Sequence, residues 1–325
     1  VVVPKRINNE APEGDETGRT EGPQGHETGR NEAPKGHETG RNEGPQGHET
    51  GRSEAPEGDE TGRKPLWVGT SGYSYKDWVG PFYPPGTEPS RYLELYAQEF
   101  SFTEINASYY RLPTSSMLRS MVERTPEGFL FSIKAHQSLT HKVEADWRRR
   151  LASFKRALEP LQENARLAGV LFQFPYSFHY EPPQRQYLAD LLDEVISDEA
   201  KALRVFVEFR NRAWQTNSVY EGLTERGAHW VTVDLPPLER LPRRAPRVTA
   251  GAGYLRLHGR NSGNWWSGTN VSRYDYLYSA AELEELATTA RMLWDESDFL
   301  LVAFNNHFEA QAVRNAQSLR AMLAG

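Results

Sequence analysis

The chain has 325 residues, 38 Lys+Arg against 44 Asp+Glu, a formal charge of −6 and no cysteine. The missing thiol excludes disulfides, iron–sulfur clusters, thiolate nucleophiles and cysteine-ligated zinc, and fits a cytoplasmic protein. The opening VVVPKRINNE lacks an apolar core, and no run approaches the roughly 18 apolar residues of a membrane helix. Neither a signal peptide nor a membrane partner is therefore expected.

The two ends of the chain differ in kind. Asn9 to Arg63 is five consecutive copies of an eleven-residue unit: NEAPEGDETGR, TEGPQGHETGR, NEAPKGHETGR, NEGPQGHETGR and SEAPEGDETGR. Every copy carries Pro and Gly, and none contains Leu, Ile, Val, Phe, Tyr or Trp. Such a unit buries too little apolar surface to offset the entropy of ordering it, so residues 1–63 are expected to be a disordered arm. An eleven-residue period suits a right-handed coiled coil only with an apolar stripe, which is missing here. His26, His37 and His48 recur at one repeat position and read as solvated spacer residues. The near-identity of the copies reads as a tandem DNA repeat translated in frame. With Val1 at the start, one reading places the true start downstream and makes the arm dispensable.

The arm carries 8 Lys+Arg and 14 Asp+Glu, which accounts for the whole net charge; the remaining 262 residues carry 30 of each. A neutral body gives no global electrostatic case for nucleic acid, so any anion site has to be local.

From residue 64 to 325, short apolar runs alternate with helical periods. Strands are expected at Leu66–Thr70, Phe102–Asn106, Phe129–Lys134, Gly169–Phe174, Arg204–Phe209, His229–Asp234, Tyr254–His258 and Phe299–Asn305. They are rich in β-branched and aromatic residues, as parallel strands buried on both faces should be. Between them, sets such as Trp147, Leu151, Phe154, Leu158 and Leu161 step by four and three along one helix face. Ser279-Ala-Ala-Glu282 is a capping box. One crossover differs: Leu235 to Gly253 contains Pro236, Pro237, Pro242 and Pro246, so an extended segment replaces the helix after strand six. Eight strands with helical crossovers fit an α/β fold of the (β/α)8 TIM-barrel type. The rival, an open doubly wound sheet, needs a GxGxxG turn, and GTSGYS at Gly69–Ser74 lacks that spacing.

In such a barrel, chemistry sits where strands end. Those ends supply Glu104 and Asn106, Lys134 and His136, Gln173, Glu208 and Arg210, Asp234, Arg256 and His258, then Asn305, Asn306 and His307. Pairs two apart within a strand share parity and point to one side. Two plain alternatives stand beside a functional ring: ion pairs that merely plug the barrel end, and surface histidines at 136 and 307.

Two chemistries compete. Glu104, Glu208, Asp234 and His258 could ligate a divalent metal that activates water. Lys134, Arg210 and Arg256 in the same mouth would repel a cation, and suit an anion clamp beside an acid/base pair. The favoured reading has no cofactor. Lys134, Arg210 and Arg256 clamp a small anionic ligand, phosphorylated or nucleotide-like. Glu208 and Asp234 serve as acid and base, and His258 carries a proton. Glu104, Asn106, Gln173, Asn305 and Asn306 orient the ligand, and Trp265, from NSGNWW, offers it a flat face. The alternatives are a metal-dependent hydrolase or nuclease, and a non-catalytic nucleic-acid-binding module. Arg256→Ala is expected to cost function rather than stability.

Eight segments, in order, carry a resemblance: WVGTSGYSYKDWVGPFYP, FTEINASYYRLP, FSIKAHQSLTH, LFQFPYSF, VEFRNRAW, VTVDLP, YLRLHGRN and FNNHFEAQAVRNA. They resemble the YecE-like family, also called domain of unknown function 72, from about Leu66 to the C-terminus. The resemblance implies a TIM barrel related in shape to sugar isomerases and apurinic-site endonucleases. It implies no reaction, because the family has no assigned activity. Lys134, Arg210 and Arg256 depart from the His and acidic metal ligands of those enzymes.

Overall fold

The computed structural model describes residues 63–196 and 203–324. The repeat arm up to residue 62 lies outside the described residues. Eight parallel strands close into a barrel in chain order. They are β1 Leu66–Ser71, β2 Phe102–Ile105, β3 Leu130–Lys134, β4 Leu167–Phe174, β5 Val205–Phe209, β6 His229–Asp234, β7 Ala252–Leu257 and β8 Phe299–Phe304. Each expected strand is present, with ends displaced by no more than two residues. No helix lies between β6 and β7, where the four prolines fall.

The strands have two buried faces because two cores grip them. Inside the barrel, Phe102, Leu171, Phe206, Val231, Tyr254 and Leu301 fill the lower layers. Outside, residues of opposite parity, such as Ile133, Phe172, Val207, Leu255 and Val302, meet the helices. Helix Trp147–Ala157 packs through Trp147, Leu151 and Phe154, the spaced residues of its apolar face. Helix Ala280–Glu296 starts on the expected capping box, with Ser279 and Glu282 each bonding the other's backbone N–H. Gly69 is needed for packing: a Cβ there would lie 2.2 Å from the Phe102 carbonyl oxygen of β2.

Register sets the height of each interior residue. Glu104 pairs with Ser132, Gln173 with Glu208, Val233 with Arg256, and Arg256 with Ala303. The apolar layers therefore end where the charged ones begin, all at the carboxyl ends of the strands. That is the end at which barrels of this kind carry their sites.

Candidate functional site

Arg256 is the hub of the upper barrel. Its Nε donates to Glu104 Oε2 at 2.8 Å and its Nη2 to Glu104 Oε1 at 2.6 Å, while Nη1 donates to Glu208 Oε2. The three side chains are at most 1% exposed. Tyr254, two residues before Arg256 on β7, donates its hydroxyl to Glu104 Oε2 at 2.5 Å. Glu208 Oε1 in turn accepts from Arg210 Nε at 2.6 Å. Two carboxylates and two guanidiniums thus interlock across β2, β5 and β7. A buried charge is tolerated only when paired in this way.

Electrostatics follow from that geometry. Burial alone would raise the Glu208 carboxyl, but the adjacent Arg256 and Arg210 hold it well below the usual carboxylate range. Burial likewise opposes the charge of Arg256, and Glu104 and Glu208 more than restore it. His258 is wholly buried, with Nε2 3.4 Å from Glu208 Oε1 and Nδ1 3.1 Å from the Asn305 amide nitrogen. Nε2 is also 3.4 Å from Arg256 Nη1 and from Arg210 Nη2, so the ring sits among both signs of charge. Burial, reinforced by Arg210, lowers its pKa to about 3 against the pull of Glu208. His258 is therefore neutral at pH 7.

Above this floor lies a more accessible tier. Lys134 is half-buried, its ammonium 4.3 Å from the centre of the Tyr109 ring. Arg210, Gln173 and Asn305 are 9%, 5% and 7% exposed. Asn106 is half-buried, and its Oδ1 is shielded without a hydrogen-bond partner among the described residues. Trp265 packs onto the interior core, its ring 5.6 Å from the Arg210 guanidinium and 5.8 Å from that of Arg273. Gly259, at φ +84°, turns the chain immediately after His258. Tyr110 and Trp266 remain exposed beside the mouth, and Trp266 meets Tyr176 edge-on. His307 stacks on Tyr75 at 4.6 Å, and His136 accepts from the Ser138 backbone as a local cap.

Two expected site residues point elsewhere. Val231 and Val233 fill the interior on β6, so Asp234 has the opposite parity and faces outward. There it accepts from Arg260 Nε at 2.9 Å, Arg244 Nη1 at 3.0 Å and the Tyr278 hydroxyl at 2.8 Å. The expectation that Asp234 joins Glu208 and His258 is corrected by that register. Asn306 is outward for the same reason, donating to the Tyr276 carbonyl and to Asn315 Oδ1. The alternative metal set, Glu104, Glu208, Asp234 and His258, does not converge. Arg256 stands between the two glutamates, Asp234 is on the other face, and no cluster of three metal-ligating side chains occurs among the described residues. Tyr254, Arg244 and Arg260 escaped the sequence reading. Tyr254 alone left a signal, its shared parity with Arg256.

A closed eight-stranded barrel with charged side chains at its carboxyl mouth is a TIM barrel. Residues 67–325 match the family model described as "Protein of unknown function DUF72", and the chain belongs to that family. It is 34% identical to a DUF72 family protein of known structure from Thermotoga maritima, which aligns over 80% of this chain and 100% of that one with a TM-score of 0.73. A DUF72 family protein from Enterococcus faecalis V583 aligns over 81% of this chain and 99% of its own, at 22% identity and TM-score 0.68. UPF0759 protein YunF of Bacillus subtilis (strain 168) is 28% identical over 274 residues, 79% of this chain and 94% of that protein. No helix among the described residues is long and apolar enough to cross a membrane.

Proposed function

We propose that this protein is an enzyme acting on an anionic, phosphorylated or nucleotide-like small molecule at the carboxyl mouth of its barrel. One observation carries the reading. The upper barrel gathers three cations, Lys134, Arg210 and Arg256, against two carboxylates that are both already engaged with arginine. Lys134 and Arg210 stand on the more accessible tier, where an anion can approach them. In a low-dielectric recess their attraction for an anion is stronger than on an open surface.

The parts then divide the work. Arg256 is the fixed base that holds Glu104 and Glu208, and Glu208 aims Arg210. Lys134 and Arg210 clamp the anion, while Gln173, Asn305 and Asn106 orient the remainder and Trp265 covers it. His258 moves the proton. Empty, it is a weak base because burial, and after it Arg210, disfavour its protonated form. An anion beside Arg210 offsets that second cause and raises the proton affinity of the imidazole, while burial still holds it low. Asp234 serves at one remove: it anchors Tyr278, whose oxygen accepts from Gly259 N behind His258.

The test is melting of the full chain with inorganic phosphate, mononucleotides and small carboxylates. Ligand at about a hundred times Kd should stabilise the protein by about 2.7 kcal/mol. Lys134→Ala and Arg210→Ala should each abolish that stabilisation. Absence of any shift with every anion overturns the reading.

A further inference from the structure

Around the mouth, the uppermost inward positions follow a pattern. Asn106 extends β2, Lys134 ends β3, Gln173 stands on β4 and Arg210 follows β5. Leu235, after β6, belongs to the interior apolar cluster. His258 and Asn305 follow β7 and β8, and the two are neighbours through the Asn305 amide. Carboxamides and cations thus alternate across the first four of these strands, and a third carboxamide stands across the ring.

A bare anion would use only the N–H half of this arrangement. Phosphate and carboxylate at neutral pH accept hydrogen bonds, and cations or N–H groups satisfy them. A carboxamide offers a donor and an acceptor side by side, which suits a hydroxyl group that does both. Asn106 sharpens the point, because its Oδ1 has no hydrogen-bond partner among the described residues, and a buried acceptor left so is rare. The Gln173 amide stands at the same height, 5% exposed. The buried Trp265 ring, with the Arg210 guanidinium over it at 5.6 Å, walls the tier on one side.

We infer that the anion held between Lys134 and Arg210 is polyhydroxylated, a monosaccharide phosphate in class, with its hydroxyls read by Asn106, Gln173 and Asn305. This rests on the anion site proposed above and names its substrate class. The phosphate takes the two cations, and the sugar carbons lie across the carboxamides toward His258.

The experiment is calorimetric titration of the full chain with ribose 5-phosphate and with pentyl phosphate, which matches the anion and carbon count but lacks hydroxyls. Ribose 5-phosphate should bind at least about tenfold tighter, since a site built to bond hydroxyls rejects an analogue without them. Asn106→Leu and Gln173→Met should each erase most of that gap, read as weaker binding of ribose 5-phosphate. Equal binding of the two phosphates by the wild-type chain overturns the hydroxyl assignment and leaves the anion site standing. Binding of neither removes both. A nucleoside 5′-monophosphate more than about tenfold tighter than ribose 5-phosphate also overturns it, because a base is then being read. The wild-type comparison stands whether or not a variant folds.

Discussion

Inside the barrel Arg256 holds Glu104 and Glu208 with all three side chains at most 1% exposed, whereas on the outer face Arg260 and Arg244 hold Asp234 with guanidiniums 20% and 24% exposed. Both clusters pair arginine with carboxylate. Solvent makes the difference. The outer cluster reaches Glu282 and Glu285 at the surface and is open to screening ions. The inner one is sealed, so each charge there depends on its partners alone. The outer arrangement fastens a loop to a helix; the inner one sets fixed charges beneath the proposed anion site.

The largest effect expected from breaking this contrast is at Arg256. Arg256→Leu strands two buried carboxylates and should cost about 3–5 kcal/mol in urea unfolding. The burial overturns the expectation that this residue can be removed at little cost to stability. A loss below about 1 kcal/mol would mean water reaches the inner cluster.

Next comes pH. Burial lowers His258 and His229 to about 3 and His307 to about 4, from an ordinary 6.5. Between those values and 6.5 the unfolded chain binds more protons, so stability is complete above 6.5 and falls on acidification. His258 alone should account for about 2 kcal/mol between pH 7 and pH 5, read as a shallower slope in His258→Asn. An unchanged slope would show that His258 is not held neutral.

Smaller is Asp234→Asn, which keeps the shape and removes the charge. It should cost about 1–2 kcal/mol and leave ligand affinity nearly intact. Smallest is Arg244→Ala, below about 1 kcal/mol and vanishing in 1 M salt. A salt-independent loss at Arg244 would put the outer cluster in the same class as the inner one.

Much of this was legible in the sequence. The strands are continuous apolar runs bounded by Pro, Gly and helical periods, and the polar residues cluster at their carboxyl ends. The same feature hid the parity of β6 and β8. HWVTVD and FLLVAF are buried on both faces, so neither run shows which side Asp234 or Asn306 takes. In β2 and β7 the polar residues at alternate positions, Glu104 and Asn106, Arg256 and His258, disclosed it. Partnerships were beyond reach: Tyr254 and Glu104 stand 150 residues apart, and only the closed ring makes them neighbours.

The missing sixth helix has a mechanical consequence. A helix satisfies its own backbone, but the extended strap that replaces it borrows bonds from the loop after β5. Arg212 N donates to the Arg240 carbonyl, and the Gln215 amide both donates to and accepts from the Arg243 backbone. The strap and the β5 loop are thereby laced into one unit, with Arg210 at its inner border. The outer wall near Arg243 is therefore tied by hydrogen bonds to the rim of the mouth, where a helix would have kept its bonds to itself.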